Sequence, residues 1–326
     1  MVEWKIKKII NFTAEKHWGE GYAQFGFHDL EGNQYVLNNE QDWIGLLGYD
    51  NLVWTMGANR VTNKCKHYNL DLKGPKYLEG AKDESILFSD DKRIYRFYPK
   101  SEKIDVVVDS DKYEIKDIGN CIYDSEENIW INEITGCKVW QFDYDGNMIR
   151  TLGNGQPGFQ KCDMGFDEVS FNWIFDMKCG PDGNIYVLDS GNYTVRMIDI
   201  KRHVVKLVAG TGEGGYIGDD GHPLEATFGT KKDADFDGPW SMVIDEKGNI
   251  YIGDTQNHVV RMIDSETKKI TTIAGNQGSI EGKRNSIDEK DPFKLNLPLI
   301  CSMDYYDGKL YIPEWDGDLI VLEKLD

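Results

Sequence analysis

The sequence is short of basic residues. Its 37 Lys and Arg stand against 56 Asp and Glu, a formal charge of −19 over 326 residues. Nucleic acid and an anionic membrane would both be repelled, which argues against either as the main partner. A cationic or neutral ligand remains compatible. No apolar run approaches the ~20 residues of a membrane-spanning helix. The opening stretch, MVEWKIKKIINF, alternates apolar and polar residues and lacks the continuous apolar segment of a secretory leader. No CxxC pair is present. Cys65, Cys121, Cys137, Cys162, Cys179 and Cys301 are scattered, which fits reduced thiols in a cytoplasm better than a disulfide frame or a zinc knuckle, without excluding a disulfide. A cytoplasmic location is expected. Long helical periodicity, a linker rich in Pro and Ser, a nucleophile elbow and a dinucleotide fingerprint are all missing. The Gly-x-Gly runs at 153–155 and 210–212 do not open helices, so they do not support phosphate binding.

What the chain does hold is glycine and large aromatics: 34 Gly, 17 Tyr and 9 Trp, a balance that favours strands and tight turns. It also holds a repeat. Residues 183–199 read GNIYVLDSGNYTVRMID and residues 248–264 read GNIYIGDTQNHVVRMID, identical at 11 of 17 positions without a gap. Each copy is a Gly-Asn turn, an alternating strand, an Asp, a polar turn and a second alternating strand. Weaker copies lie at 128–143, 308–322, 32–37 and 85–97. An apolar strand precedes each hairpin (240–245, 175–178, 300–304, 119–124, 76–79 and 24–29), and a fourth strand follows several (204–209, 270–274, 148–152, 104–108).

Four short strands repeated six times predict an all-β fold, a six-bladed β-propeller of four-stranded antiparallel blades. The spacing of about 54 residues slightly exceeds that of common blades, and the excess falls in loops 210–235 and 276–294. The expected organisation is one domain, 1–326, with blades at 18–57, 72–108, 115–153, 171–210, 236–275 and 295–325. The last blade runs out after its third strand. The orphan strand at 4–10, WKIKKII, is expected to complete it and remove the open edge.

These repeats resemble the NHL family of six-bladed propellers. The resemblance rests on Asp245, Gly248-Asn249-Ile250-Tyr251-Ile252, Asp254 and Asn257-His258-Val259-Val260-Arg261, together with the blade-linking run Ala209-Gly210-Thr211-Gly212, Gly218-Asp219-Asp220-Gly221-His222-Pro223 and Ala226. It is strong over residues 171–275 and rests on rhythm elsewhere. It implies the fold and leaves function open, because propellers host lyases, lactonases and passive binding platforms.

Propeller sites usually sit where the inner strands begin. Counting five residues back from the Asp245 position gives a ring of Gln24, Lys76, Gly119, Trp173, Trp240 and Leu299, with Tyr22, Asp117, Phe171 and Asn172 beside it. Gly119 should leave a gap. An aromatic wall with a few polar groups suits a small-molecule or peptide pocket, and the ligand-binding set is Gln24, Lys76, Trp173, Trp240, Tyr22, Phe171 and Asn172. The alternative is that the tryptophans plug the channel or pack between blades.

Metal-dependent relatives place carboxylates or three imidazoles on the inner strands. Here Trp240 takes the matching Asp position and no histidine enters the ring, so no metal and no cofactor are expected. Asp219 and Asp220 are weak candidates for Ca²⁺, with turn formation as the competing role. His17 and His28 lie where either could reach a pocket. The run Asn128–Glu133 resembles streptogramin lyase propellers over six letters. Glu133 and Glu314 replace Asp189 and Asp254, and Arg196 and Arg261 share a repeat position suited to packing between blades.

Two functional classes follow. The first is a binding propeller that holds a small molecule, peptide or protein at the channel mouth. The second is a metal-independent lyase, hydrolase or cyclase acting in the aromatic pocket, with Lys76, His17, Glu20 and Asp117 as acid–base candidates.

Overall fold

The computed structural model describes residues 3–11, 25–29, 31–38, 42–47, 52–57, 66–230, 237–314 and 318–325. One local device builds its hairpins. In the turn before Ile250–Asp254, Asp245 Oδ1 accepts the amides of Lys247 and Asn249 at 3.0 and 2.8 Å. Its Oδ2 accepts Asn249 Nδ2 at 2.7 Å and the Tyr251 hydroxyl at 3.0 Å. Gly248 supplies the left-handed residue that the turn requires, at φ +82°. Asp29 serves Asn33 and Tyr35 in the same way, and Asp124 serves Asn128 and Trp130. Each turn acid thus fixes both the turn and an aromatic of the next strand.

Six antiparallel blades result, each starting at an inner strand: Phe25–His28, Lys76–Gly80, Ile118–Tyr123, Ile174–Cys179, Ser241–Ile244 and Asp304–Tyr306. Each inner strand packs beside the next and the last beside the first, so the blades close a ring around a central channel. Two blades carry a fifth strand at the outer edge. Lys66–Tyr68 runs parallel to Leu52–Gly57, and Met164–Gly165 pairs with Val204–Ala209. Among the described residues the one α-helix is the single turn Ser110–Tyr113, and none is long and apolar enough to cross a membrane.

The start of the chain closes the ring. Trp4–Asn11 pairs antiparallel with Asp318–Lys324, from Trp4 opposite Lys324 to Asn11 opposite Asp318. This supplies the missing fourth strand of the last blade.

The core lies between blades. Leu37, Phe88 and Phe97 fill the space between blades 1 and 2, Ile131 and Phe142 lie between 2 and 3, and Trp130 and Phe171 between 3 and 4. Leu188 and Ile252 pack between 4 and 5, and Trp4, Tyr251 and Ile312 between 5 and 6. The seam of blades 6 and 1 is held differently. There His28 Nδ1 and Asp304 Oδ2 lie 2.6 Å apart, and the imidazole stacks on Tyr306 with ring centres 4.9 Å apart.

A second device repeats in blades 4 and 5. Asp189 accepts the Asn172 amide at 2.7 Å, Asn192 Nδ2 at 2.8 Å and Arg196 Nη1 at 3.4 Å. Asp254 accepts the Gly229 amide at 2.7 Å and Asn257 Nδ2 at 3.0 Å. Arg196 and Arg261 are fully buried and donate to loop carbonyls: Ser170 and Gln160 for Arg196, Thr227 and Ile217 for Arg261. A planar fork with five donors can satisfy several buried acceptors at once. The repeated arginines therefore anchor the long loops between blades. Glu133 and Glu314 keep the amide-accepting half of the device, from Lys116 and Leu299.

Candidate functional site in the central channel

The six inner strands can be superimposed through their partners. Phe27, Glu79, Ile122, Lys178, Val243 and Asp304 each lie opposite the same position of the second strand, occupied by Tyr35, Leu87, Trp130, Tyr186, Tyr251 and Tyr311. Three blades are apolar at this level and three are charged. The charged side chains face a cavity of about 210 Å³ bounded also by His28, Tyr77, Asp176, Cys179, Ser302 and Tyr305. A second cavity, of about 170 Å³, abuts it across Glu79, Gly80 and Cys179.

The charges differ in how they are satisfied. Asp176, with a side chain only 2% exposed, lies 3.2 Å from Lys178 Nζ. It also accepts the amides of Met177 and Met242, both at 2.8 Å, and the Asn120 side chain. It ties blades 3, 4 and 5 together. Asp304 receives the His28 amide at 2.9 Å in addition to the ring contact. Glu79 has no hydrogen bond or ion pair among the described residues. It is half-buried between the two cavities, and burial pushes its carboxyl up to about 7, with Lys178 opposing the rise and Asp304 and Asp176 adding to it. Burial alone would lower the Lys178 ammonium, but Asp176 and Glu79 outweigh it and hold the ammonium above its ordinary value. Burial and the nearby Glu79 also push the Cys179 thiol up to about 11, so it stays protonated and unreactive.

The residues singled out from the sequence lie elsewhere or are engaged. His17, Glu20, Tyr22 and Gln24 fall outside the described residues. Lys76 Nζ donates to the Ile118 carbonyl at 3.0 Å and pairs with Asp91 at 3.2 Å. Asp117 accepts the Thr135 amide at 2.9 Å, as a turn acid. Phe171 is fully buried in the core between blades 3 and 4, with the Arg196 guanidinium 5.5 Å from its ring centre. Asn172 bonds Asp189 and Gly191. Gly119 leaves no gap, because a Cβ there would lie 2.5 Å from Asn132 Nδ2.

Trp240 has Phe175 as its counterpart, and Trp173 lies two residues further out. Gly180 bonds Asn184 as Asp245 bonds Asn249, so the count in blade 4 starts from Gly180. The three rings stack in a half-buried row, with centres 5.7 Å apart for Phe175 and Trp240 and 6.3 Å for Trp173 and Phe175. In blade 6 the counterpart is Cys301, and Leu299 lies two residues outside. Asp219 is engaged by Arg261: its Oδ1 accepts Arg261 Nη2 and Nε at 2.6 and 3.0 Å. Asp220 is an exposed turn residue at φ +62°. Among the described residues no group of three His, Cys, Asp or Glu is placed to hold a metal ion.

His28 reaches the cavity; Glu79, Lys178, Asp176 and Asp304 were not singled out from the sequence. The signal was present nonetheless, as charged residues at a position where other blades carry Phe, Ile and Val.

This ring of four-stranded blades defines a six-bladed β-propeller. The turn and Asn-x-x-x-Arg devices, with the comparisons below, make it a propeller of the NHL type. No family model matches the chain. It is 29% identical over 154 residues, or 44% of its length, to Protein SUPPRESSOR OF QUENCHING 1, chloroplastic, of Arabidopsis thaliana. It is 29% identical over 90 residues, or 27% of its length, to NHL repeat-containing protein 2 of Homo sapiens. These matches span only 14% and 11% of the two relatives. Among solved structures, an auxiliary nutrient binding protein from Bacteroides ovatus superposes over all of this chain and 78% of its own, with TM-score 0.68 and 13% identity. Virginiamycin B lyase from Staphylococcus aureus superposes over the whole of both chains, with TM-score 0.60 and 11% identity. Likeness at that identity shows the fold.

Proposed function

We propose that this propeller is a small-molecule binding protein whose site is the central cavity lined by Glu79, Lys178, Asp304 and His28. The observation that carries this reading is the carboxyl of Glu79, which has no hydrogen-bond or ion-pair partner among the described residues, in a cavity where Asp176, Lys178 and Asp304 are paired. An acid held in this way has a high energy without a ligand and gains a partner when one binds. A cavity of about 210 Å³ suits a ligand of about ten non-hydrogen atoms, since a cavity of about 150 Å³ already admits benzene. The nutrient-binding description of a propeller neighbour is consistent with a binding role.

The enzymatic alternative gains less support. Of its acid–base candidates, Lys76 and Asp117 are committed to structural contacts. The charge of −19 also favours a ligand other than nucleic acid or an anionic membrane.

The test is a thermal-shift and calorimetric panel of sugars, amino acids, amines and carboxylic acids of that size. It is run on the wild type and on Cys179→Trp, which places an indole at the cavity wall. At least one compound should bind the wild type and lose at least tenfold in the variant. Binding that is unchanged in Cys179→Trp, or no binding across the panel, would refute the proposal.

A further inference from the structure

The geometry points to a ligand class: the cavity takes a small organic ammonium ion, with Glu79 as the carboxylate that pairs with it. This rests on the cavity being the binding site and adds the chemistry of the occupant.

The argument is one of charge and pairing. Four ionisable side chains face the space: Glu79, Asp176 and Asp304, each negative when ionised, and Lys178 with one positive charge. Asp176 is satisfied by Lys178, by two amides and by Asn120. Asp304 is satisfied by the amide and ring of His28. Glu79 is left over, and once it is ionised, above about pH 7, the lining is net negative whether or not His28 carries a proton. A concave, low-dielectric wall inside a chain of charge −19 concentrates that potential. An anion entering the cavity would meet the ionised Glu79 with no cation left to pair with. A neutral ligand would leave Glu79 without an ionic partner. An ammonium group satisfies it with charge-assisted hydrogen bonds. The apolar part of the ligand has Phe27, Leu78, Val243 and Ile244 for contact.

Binding should depend on pH through the same group. The titratable and charged groups around Glu79 are Asp176, Lys178 and Cys179 on blade 4, Cys121, Tyr123, Asp124 and Glu127 on blade 3, Asp304 and Tyr305 on blade 6, His28 on blade 1, and Tyr77 and Lys82 on its own blade. Glu79 titrates near 7, so its ionised fraction rises about tenfold between pH 6 and pH 8. Amine binding should tighten by about the same factor.

The experiment titrates n-butylammonium, n-butanol and butyrate into the full chain at pH 6 and pH 8, with Glu79→Gln and Glu79→Asp alongside. The expected result is that butylammonium binds best and tightens toward pH 8. It should lose at least tenfold in Glu79→Gln, with partial retention in Glu79→Asp. Far-ultraviolet dichroism and melting confirm that each variant is folded. Tighter binding of butanol or butyrate than of butylammonium overturns the ammonium assignment while leaving the cavity as the site. Equal butylammonium binding by wild type and Glu79→Gln also overturns it. If none of the three probes binds the wild type, the ammonium assignment fails, and the wider panel with Cys179→Trp then judges the cavity on its own.

Discussion

Glu79→Gln should make the protein more stable at neutral and alkaline pH, and only there. The native carboxyl is raised from its ordinary 4.5 to about 7, mainly because burial disfavours its charged form. The folded chain therefore holds this proton more tightly than the unfolded chain does. Glu79 costs nothing below about pH 4.5, where both states are protonated. Its cost grows as pH rises and is complete above about 7. At about 1.4 kcal/mol for each tenfold change in proton affinity, that rise corresponds to about 3 kcal/mol. Glutamine keeps the shape and removes the charge. Urea unfolding at pH 5, 6, 7 and 8 should show the two proteins nearly equal at pH 5, with the variant ahead by about 2–3 kcal/mol at pH 8. Asp189 and Asp254, which burial raises to about 6, impose their own pH dependence on both proteins, and it cancels in the difference. A difference that does not change with pH would refute the reasoning, because it would mean that the Glu79 carboxyl is solvated like a surface acid.

Other predictions follow from the scaffold. Arg261→Ala should cost about 3–5 kcal/mol in urea unfolding, because it takes the guanidinium from Asp219 and leaves the Thr227 and Ile217 carbonyls without their donor; Arg261→Lys should recover little of it, since one ammonium cannot span the same acceptors. Trp4→Ala should cost about 3–5 kcal/mol, and deletion of residues 1–11 should open the ring and raise amide exchange in Asp318–Lys324. Phe171→Ala should destabilise by a similar amount as a core cavity. Asp219→Asn should leave any Ca²⁺ response unchanged while loosening loop 210–230, read by proteolysis, because its carboxylate serves Arg261.

The architecture was legible because its instructions are local. Asp245 and Gly248 specify a turn with their own atoms, and the same letters recur in blade after blade. The closing strand was legible because Trp4–Asn11 alternates and the last blade lacked a partner. The site was harder to read for a geometric reason. The strand registers shift between Lys76 and Leu78, between Ile118 and Cys121, and between Ile174 and Asp176. A bulge turns the residues before it relative to the alternation read from the hairpin. In blade 4 a glycine, Gly180, stands where blade 5 has Asp245, and without that Asp a count begun two residues early falls on Trp173, where Phe175 holds the equivalent place. Glu79 and Asp304 lie in weak copies of the repeat, and their convergence on Lys178 depends on ring closure across four blades. Alignment of the inner strands from the hairpin end, where pairing is regular, puts the three charges at one level.

The most direct measurement is the electron density of the protein crystallised with the strongest-binding small molecule from the panel. The expected result is a ligand in the channel, in contact with Glu79 and bounded by Lys178, Asp304 and Val243, and absent from Cys179→Trp crystals. A ligand seated instead on the aromatic row of Trp173, Phe175 and Trp240, or outside the ring of blades, would contradict the account.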